Sequence, residues 1–213
     1  MFITFEGIEG CGKSSQARRL ADRLKQLGIP LLLTLEPGGT SIGTEIRRVL
    51  LDSRNHELSP LAELLLYEAD RAQHVSEVIA PALEKGKWVL CDRFFDATTV
   101  YQGCGRGLDL RFVQELNGRA SFGIRPDITF LIDCPVHVGI KRALERNESL
   151  LEDGQDRFER ERFVFHEAVR RGYLALAIEE SRRFVITDGT LTEKDVEEQI
   201  FKHIAPYLPV MAQ

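Results

Sequence analysis

Eight residues, Gly7-Ile8-Glu9-Gly10-Cys11-Gly12-Lys13-Ser14, fit the pattern G-x-x-x-x-G-K-S and follow directly on the apolar run Phe2-Ile3-Thr4-Phe5. This order commits the chain to a strand, a tight loop and a helix. Glycines accept positive φ and let successive N–H groups converge on an anion, and the N-terminus of the following helix adds a positive dipole. The helix is legible in the stripe Ala17, Leu20, Ala21, Leu24 and Leu27, closed by Gly28 and Pro30. A loop of this kind implies a nucleoside triphosphate. Lys13 would reach the β and γ phosphates and the Ser14 hydroxyl would hold Mg²⁺, with Gly7 through Gly12 and Ser15 walling the ATP site.

Beyond the loop, short apolar runs alternate with helical patterns. Phe2 to Phe5, Leu31 to Leu35, Trp88 to Cys91, Ile128 to Ile132 and Phe184 to Ile186 read as five strands, nearly every connection carrying a helix. The expectation is an α/β fold: a five-stranded parallel sheet, doubly wound, with helices on both faces. Ligands in such sheets sit beyond the carboxyl ends of the strands. The loop, Glu36 to Thr40, Asp92-Arg93, Asp133 and Asp188 all fall at those ends, so five strand ends are expected around one cleft. Ser59-Pro60 and Thr192 with Asp195 read as helix starts. Pro81 should break or kink the stretch from His74 to Lys85.

The 213 residues fit one domain, 1–213, with a charge-dense lid segment at about 146–160. A net charge of -5 argues against a nucleic-acid partner. The cysteines Cys11, Cys91, Cys104 and Cys134 show no metal-like spacing, no signal peptide or membrane span is visible, and a cytoplasmic setting is expected. Core packing is the expected role of Cys91 and Cys134.

A phosphoryl transferase must hold Mg²⁺, neutralise the moving group and position an acceptor. Asp92 is a candidate metal-side or acceptor-side carboxylate, and Arg93 a candidate two-pronged clamp for an acceptor phosphate. Arg47, Arg71, Arg142, Arg146 and Arg157 supply further positive charge, and Glu36 is placed to orient arginines or water. Tyr67 and Arg71 share a helical face, a ring and a donor that would suit a nucleobase. His74 reads as a helix-surface or dimer residue.

As a set these residues resemble the bacterial thymidylate kinase family. The likeness rests on the phosphate loop, Glu36-Pro37-Gly38-Gly39-Thr40, the Tyr67 to Arg71 segment, Asp92-Arg93-Phe94, Tyr101-Gln102-Gly103 and Asp156-Arg157-Phe158-Glu159. The resemblance implies a P-loop kinase fold and transfer of the γ-phosphate of ATP to dTMP. Thymine would stack on Tyr67, with Arg71 and Thr98 or Gln102 reading its polar edge. Arg47 and Arg93 would take the dTMP phosphate, and Tyr101 would fill the space of a 2′-hydroxyl. Glu9 marks the type with an acidic loop residue and lid arginines, Arg157 ranked before Arg146, and Arg142 joins the ATP side. A homodimer through helices between Ser59 and Lys85 is implied as well. The rival readings are a kinase for another nucleoside or nucleoside monophosphate, and a nucleotide switch with no small-molecule acceptor.

Overall fold

Strands β1 (Phe2–Glu6), β2 (Leu31–Leu35), β3 (Trp88–Asp92), β4 (Ile128–Asp133) and β5 (Phe184–Asp188) form one parallel sheet in the order β2-β3-β1-β4-β5. This computed structural model describes residues 1–150, 157–159 and 161–209, without the side chains of 147–150. The alternation of a strand divides the core in two. Ile3, Phe5 and Leu90 face one cluster with Leu20, Leu24 and Ile200, whereas Phe2, Val89 and Cys91 face a second with Val75, Ile79 and Ala82. Helices therefore cover both faces. Central β1 is buried throughout, while the edge strands leave Leu35 and Ile186 exposed.

The helices are α1 (Lys13–Gln26), α2 (Ser41–Leu51), α3 (Pro60–His74), α4 (Ala80–Glu84), α5 (Phe95–Thr98), α6 (Leu110–Ala120), α7 (Val136–Leu150), α8 (Phe163–Glu179) and α9 (Glu193–Ile204). Thr40, Ser59, Asp109 and Thr192 cap α2, α3, α6 and α9 by accepting a backbone N–H near each start. Pro81 does not end its helix. The preceding turn, Val75–Ile79, widens to π-helical geometry with Ala80 N–H reaching Val75 O, and the helix continues as α4. A second π-helical turn, Thr99–Gly105, follows α5 and carries Tyr101 and Gln102 to the cleft.

Candidate active site

The phosphate loop leaves β1 with Gly7, Gly10 and Gly12 at φ of 139°, 66° and 101°. Gly12 opens α1 with no side-chain cap, so the first amides of that helix are left for an anion. At Gly10 the loop touches α7 backbone to backbone. A Cβ there would collide with Gly139 O, and one on Gly139 would collide with Glu9 O. Lys13 is buried and rests its Nζ on Ile8 O at 3.2 Å. Ser14, Ser15, Cys11 and Arg142 line a donor-side cavity of about 510 Å³. Arg142 is steadied there by Gly189 O at 2.8 Å.

A second cavity, of about 420 Å³, opens on the acceptor side and is lined by Glu36, Arg47, Tyr67, Arg71, Asp92, Arg93, Thr98, Tyr101 and Gln102. Arg71 is its most constrained member. Although only 1% exposed, it gives Nε to Glu36 at 3.0 Å, Nη1 to Glu68 at 2.9 Å and Asn117 at 3.0 Å, and Nη2 to Thr98 at 2.8 Å. Of its five N–H donors, one on Nη2 remains. Burial works against its charge, but Glu36 and Glu68 outweigh that and raise its pKa further. Glu36 is held from its other side by His74 Nδ1 at 2.9 Å, while His74 Nε2 meets Thr34 Oγ1 at 2.6 Å. His74 is thus a fully buried strut and not a helix-surface residue.

Arg93 ends β3 in the left-handed region at φ 70°, a strained conformation for a side chain of this size. Its Nη1 meets Gly7 O and Tyr173 OH, and its Nη2 meets Glu9 Oε1 and Tyr101 OH, all at 3.0–3.1 Å. The expected clamp through both terminal nitrogens is therefore already engaged, and Nε–H is left. Arg47 gives Nη1 to Pro37 O at 2.8 Å. Glu9 turns its carboxylate to this acceptor side, with Tyr101 OH donating to Oε1 and His166 Nδ1 3.3 Å from Oε2, outside hydrogen-bond geometry. Burial alone would raise the Glu9 carboxyl, but His166, Arg93, Lys13 and Tyr101 hold it well below the carboxylate range. Beneath Arg93, Glu6 behaves oppositely. Burial, with Asp96 adding to it, pushes its carboxyl up to about 8 against Arg93, Tyr173 and the Phe94 N–H.

The two cavities share Gly10, Lys13, Ser14, Arg18 and Arg146. Asp92, in the lining of the acceptor cavity, has a buried Oδ1 that finds no hydrogen-bond partner among the described residues. Together with Ser14 it fits a hard cation that would complete its oxygen shell with phosphate and water. Among the described residues no group of three or more His, Cys, Asp and Glu could hold a metal on its own.

Three placements differ from expectation. Arg157 lies away from the loop: its Nη1 is 2.7 Å from Glu63 Oε2 and donates to Leu50 O at 3.2 Å. Arg146, by contrast, lines both cavities together with Lys13, with Nη2 3.5 Å from Glu159 Oε1. Asp133 and Asp188 leave the cleft, the first pairing with Arg170 at 2.7 and 2.8 Å and the second holding the Thr190 turn. Within the lid segment, residues 151–156 and 160 lie outside the described residues. Glu63, Asn117, His166 and Tyr173 belong to the site without any motif to announce them. Arg18, four positions after Ser14, was within reach of helical spacing.

A family model described as Thymidylate kinase matches residues 5–200. A thymidylate kinase of Geobacter sp. (strain M21) is 57% identical over 189 residues, 89% of this chain and 84% of that one. A thymidylate kinase of Trichlorobacter lovleyi is 53% identical over 210 residues, 99% of both chains. The crystal structure of thymidylate kinase from Ehrlichia chaffeensis aligns with a TM-score of 0.77 at 31% identity, over 96% of this chain and 98% of that one. The likeness spans both cavities and the loop between them, and the chain belongs to the thymidylate kinase family.

Proposed function

We propose that the protein transfers the γ-phosphoryl group of ATP to dTMP, giving dTDP and ADP for thymidine nucleotide synthesis. The observation that carries this reading is the meeting of a donor cavity and an acceptor cavity at Lys13, Ser14 and Arg146. Such chemistry needs positioning and charge neutralisation more than proton transfer. The loop amides and Lys13 hold the triphosphate, and Arg142 flanks the donor nucleotide. The remaining Arg71 N–H, Thr98 and Gln102 read the thymine edge beside the Tyr67 ring. Arg47 and Arg93 receive the acceptor phosphate, and Arg146, ahead of Arg157, balances the moving group. Mg²⁺ on Ser14 and Asp92 would neutralise the phosphate oxygens. The lid, at about 146–160 of a single domain, excludes water on closing.

The reading includes a homodimer. Ile42 and Val49 of α2, Leu61 and Leu65 of α3, and Leu110 and Phe112 of α6 are exposed apolar residues on helices that pack together, which supports a self-complementary face. It also includes a cytoplasmic setting, supported by four unpaired cysteines. Among the described residues no helix is long and apolar enough to cross a membrane. The test is ADP release from ATP with dTMP, dUMP, AMP, thymidine or no acceptor. Turnover strongly favouring dTMP is expected, and equal turnover without an acceptor would turn the reading into an ATPase switch.

A further inference from the structure

Glu63 is a fully buried carboxylate with no part in the chemistry above. It is 0% exposed on α3 and faces three donors. Oε2 takes Arg157 Nη1 at 2.7 Å and Arg106 Nη2 at 3.1 Å, while Oε1 takes Arg106 Nε at 3.1 Å and Gln102 Nε2 at 2.8 Å. A carboxylate paired with two guanidiniums accepts hydrogen bonds and donates none. The end of the Gln102 amide that faces it must therefore be the NH₂. Gln102 also lines the acceptor cavity, and among the described residues nothing donates to its Oε1.

We infer that Glu63 is a positioning residue that locks the Gln102 amide so that its carbonyl oxygen, and not its NH₂, faces the acceptor base, selecting bases that donate at ring N3. The inference rests on the reading of this cavity as the thymine site. Thymine and uracil carry N3–H; cytosine has an acceptor at N3. A locked carbonyl meets the first two with a hydrogen bond and the third with two facing lone pairs, an unpaired arrangement that discriminates strongly. The same carboxylate holds Arg157 at the lid, so base reading and lid anchorage share one group.

Glu63→Gln inverts the lock. The new amide keeps the larger number of guanidinium contacts by turning its oxygen to Arg157 Nη1 and Arg106 Nη2, at the loss of the Arg106 Nε bond, and its NH₂ to Gln102, which then rotates and offers NH₂ to the base. The experiment measures kcat and KM for dTMP, dUMP and dCMP with the full-length protein, alongside thermal melting. The expected result is a dTMP-over-dCMP preference in kcat/KM reduced by about tenfold to a hundredfold, carried by KM, with the dTMP-over-dUMP preference unchanged because that ratio reads the ring methyl. The double variant Glu63→Gln with Gln102→Glu presents a carboxylate oxygen at both places and should restore the preference. A general loosening of the pocket would move both ratios together and would overturn the inference. So would an unchanged dCMP ratio in Glu63→Gln, or a lost one in the double variant, which remains decisive if the single variant does not fold. Gln102→Met separates the two levels: unchanged dTMP kinetics there would overturn the thymine-site reading itself, whereas a raised KM with an unaffected Glu63→Gln would overturn only the lock.

Discussion

The acceptor and donor sides of the cleft hold their charges in opposite ways. On the acceptor side, Arg71 has four of its N–H groups engaged and Arg93 both terminal nitrogens, within a web of Glu36, Glu68, Glu9 and Tyr101. On the donor side there are bare amides at an uncapped helix, a lysine resting on a carbonyl, and an arginine at the far end of α7. Recognition of the acceptor is thus built during folding, which carries the desolvation of several charges. The donor side is left for the triphosphate itself to complete.

The largest effect should come from the donor side. Lys13→Ala is expected to lower kcat by about 10³-fold with dTMP affinity and thermal stability nearly unchanged, as read by steady-state kinetics, titration calorimetry and melting. A comparable loss of dTMP affinity would erase the distinction between the sides. Arg71→Ala attacks the other half. It strands Glu36 and Glu68 in the interior and should destabilise the fold by about 3–5 kcal/mol while raising KM for dTMP, seen in denaturant melts and kinetics. Full stability would mean that the web is not structural. Arg146→Ala should lower kcat by about 10²-fold and leave KM for dTMP alone, a larger drop in kcat than Arg157→Ala produces. The reverse order would restore Arg157 to the phosphates.

The effect spread most thinly, over several pH units, is a pH slope. The Glu6 carboxyl moves from an ordinary 4.5 to about 8, chiefly through burial. Since the folded state binds that proton more tightly, its contribution to stability is complete below about 4.5 and is lost as pH rises to about 8. Glu6→Gln should remove a slope of at most about 1.4 kcal/mol per pH unit. Melting curves of the two proteins should meet near the lower limit, where Gln matches the protonated Glu6, and separate as pH rises towards the upper one; parallel curves would assign the slope elsewhere.

Sequence made visible whatever is local. The loop, the five strands and the caps at Ser59 and Thr192 each sit in a few consecutive residues, and all five strands run at most two residues beyond the apolar runs that announce them. Arg71 was visible through its helical spacing from Tyr67. Its partners were not, because Glu36 and Asn117 come from other elements and are 35 and 46 residues away in sequence. Tyr173 reaches Glu6 across 167 residues, and no periodicity encodes such a pair. The π-helical turns escaped for another reason. Pro81 announces a local difficulty, and widening the preceding turn resolves it without ending the helix. The placement of Arg157 depends on Glu63, a carboxylate that a sequence presents as one more charge on an amphipathic helix.

The touch of backbone on backbone at Gly10 and Gly139 makes α7 a lever. Its short arm bears on the phosphate loop, and its long arm runs seven residues to Arg146, roughly 10 Å of helix. A tilt of about 10° at that fulcrum carries the guanidinium end by roughly 2 Å. Having no side chain on either bearing surface keeps the pivot tight, so displacement of the loop is transmitted along the arm and is not absorbed by a rotating rotamer.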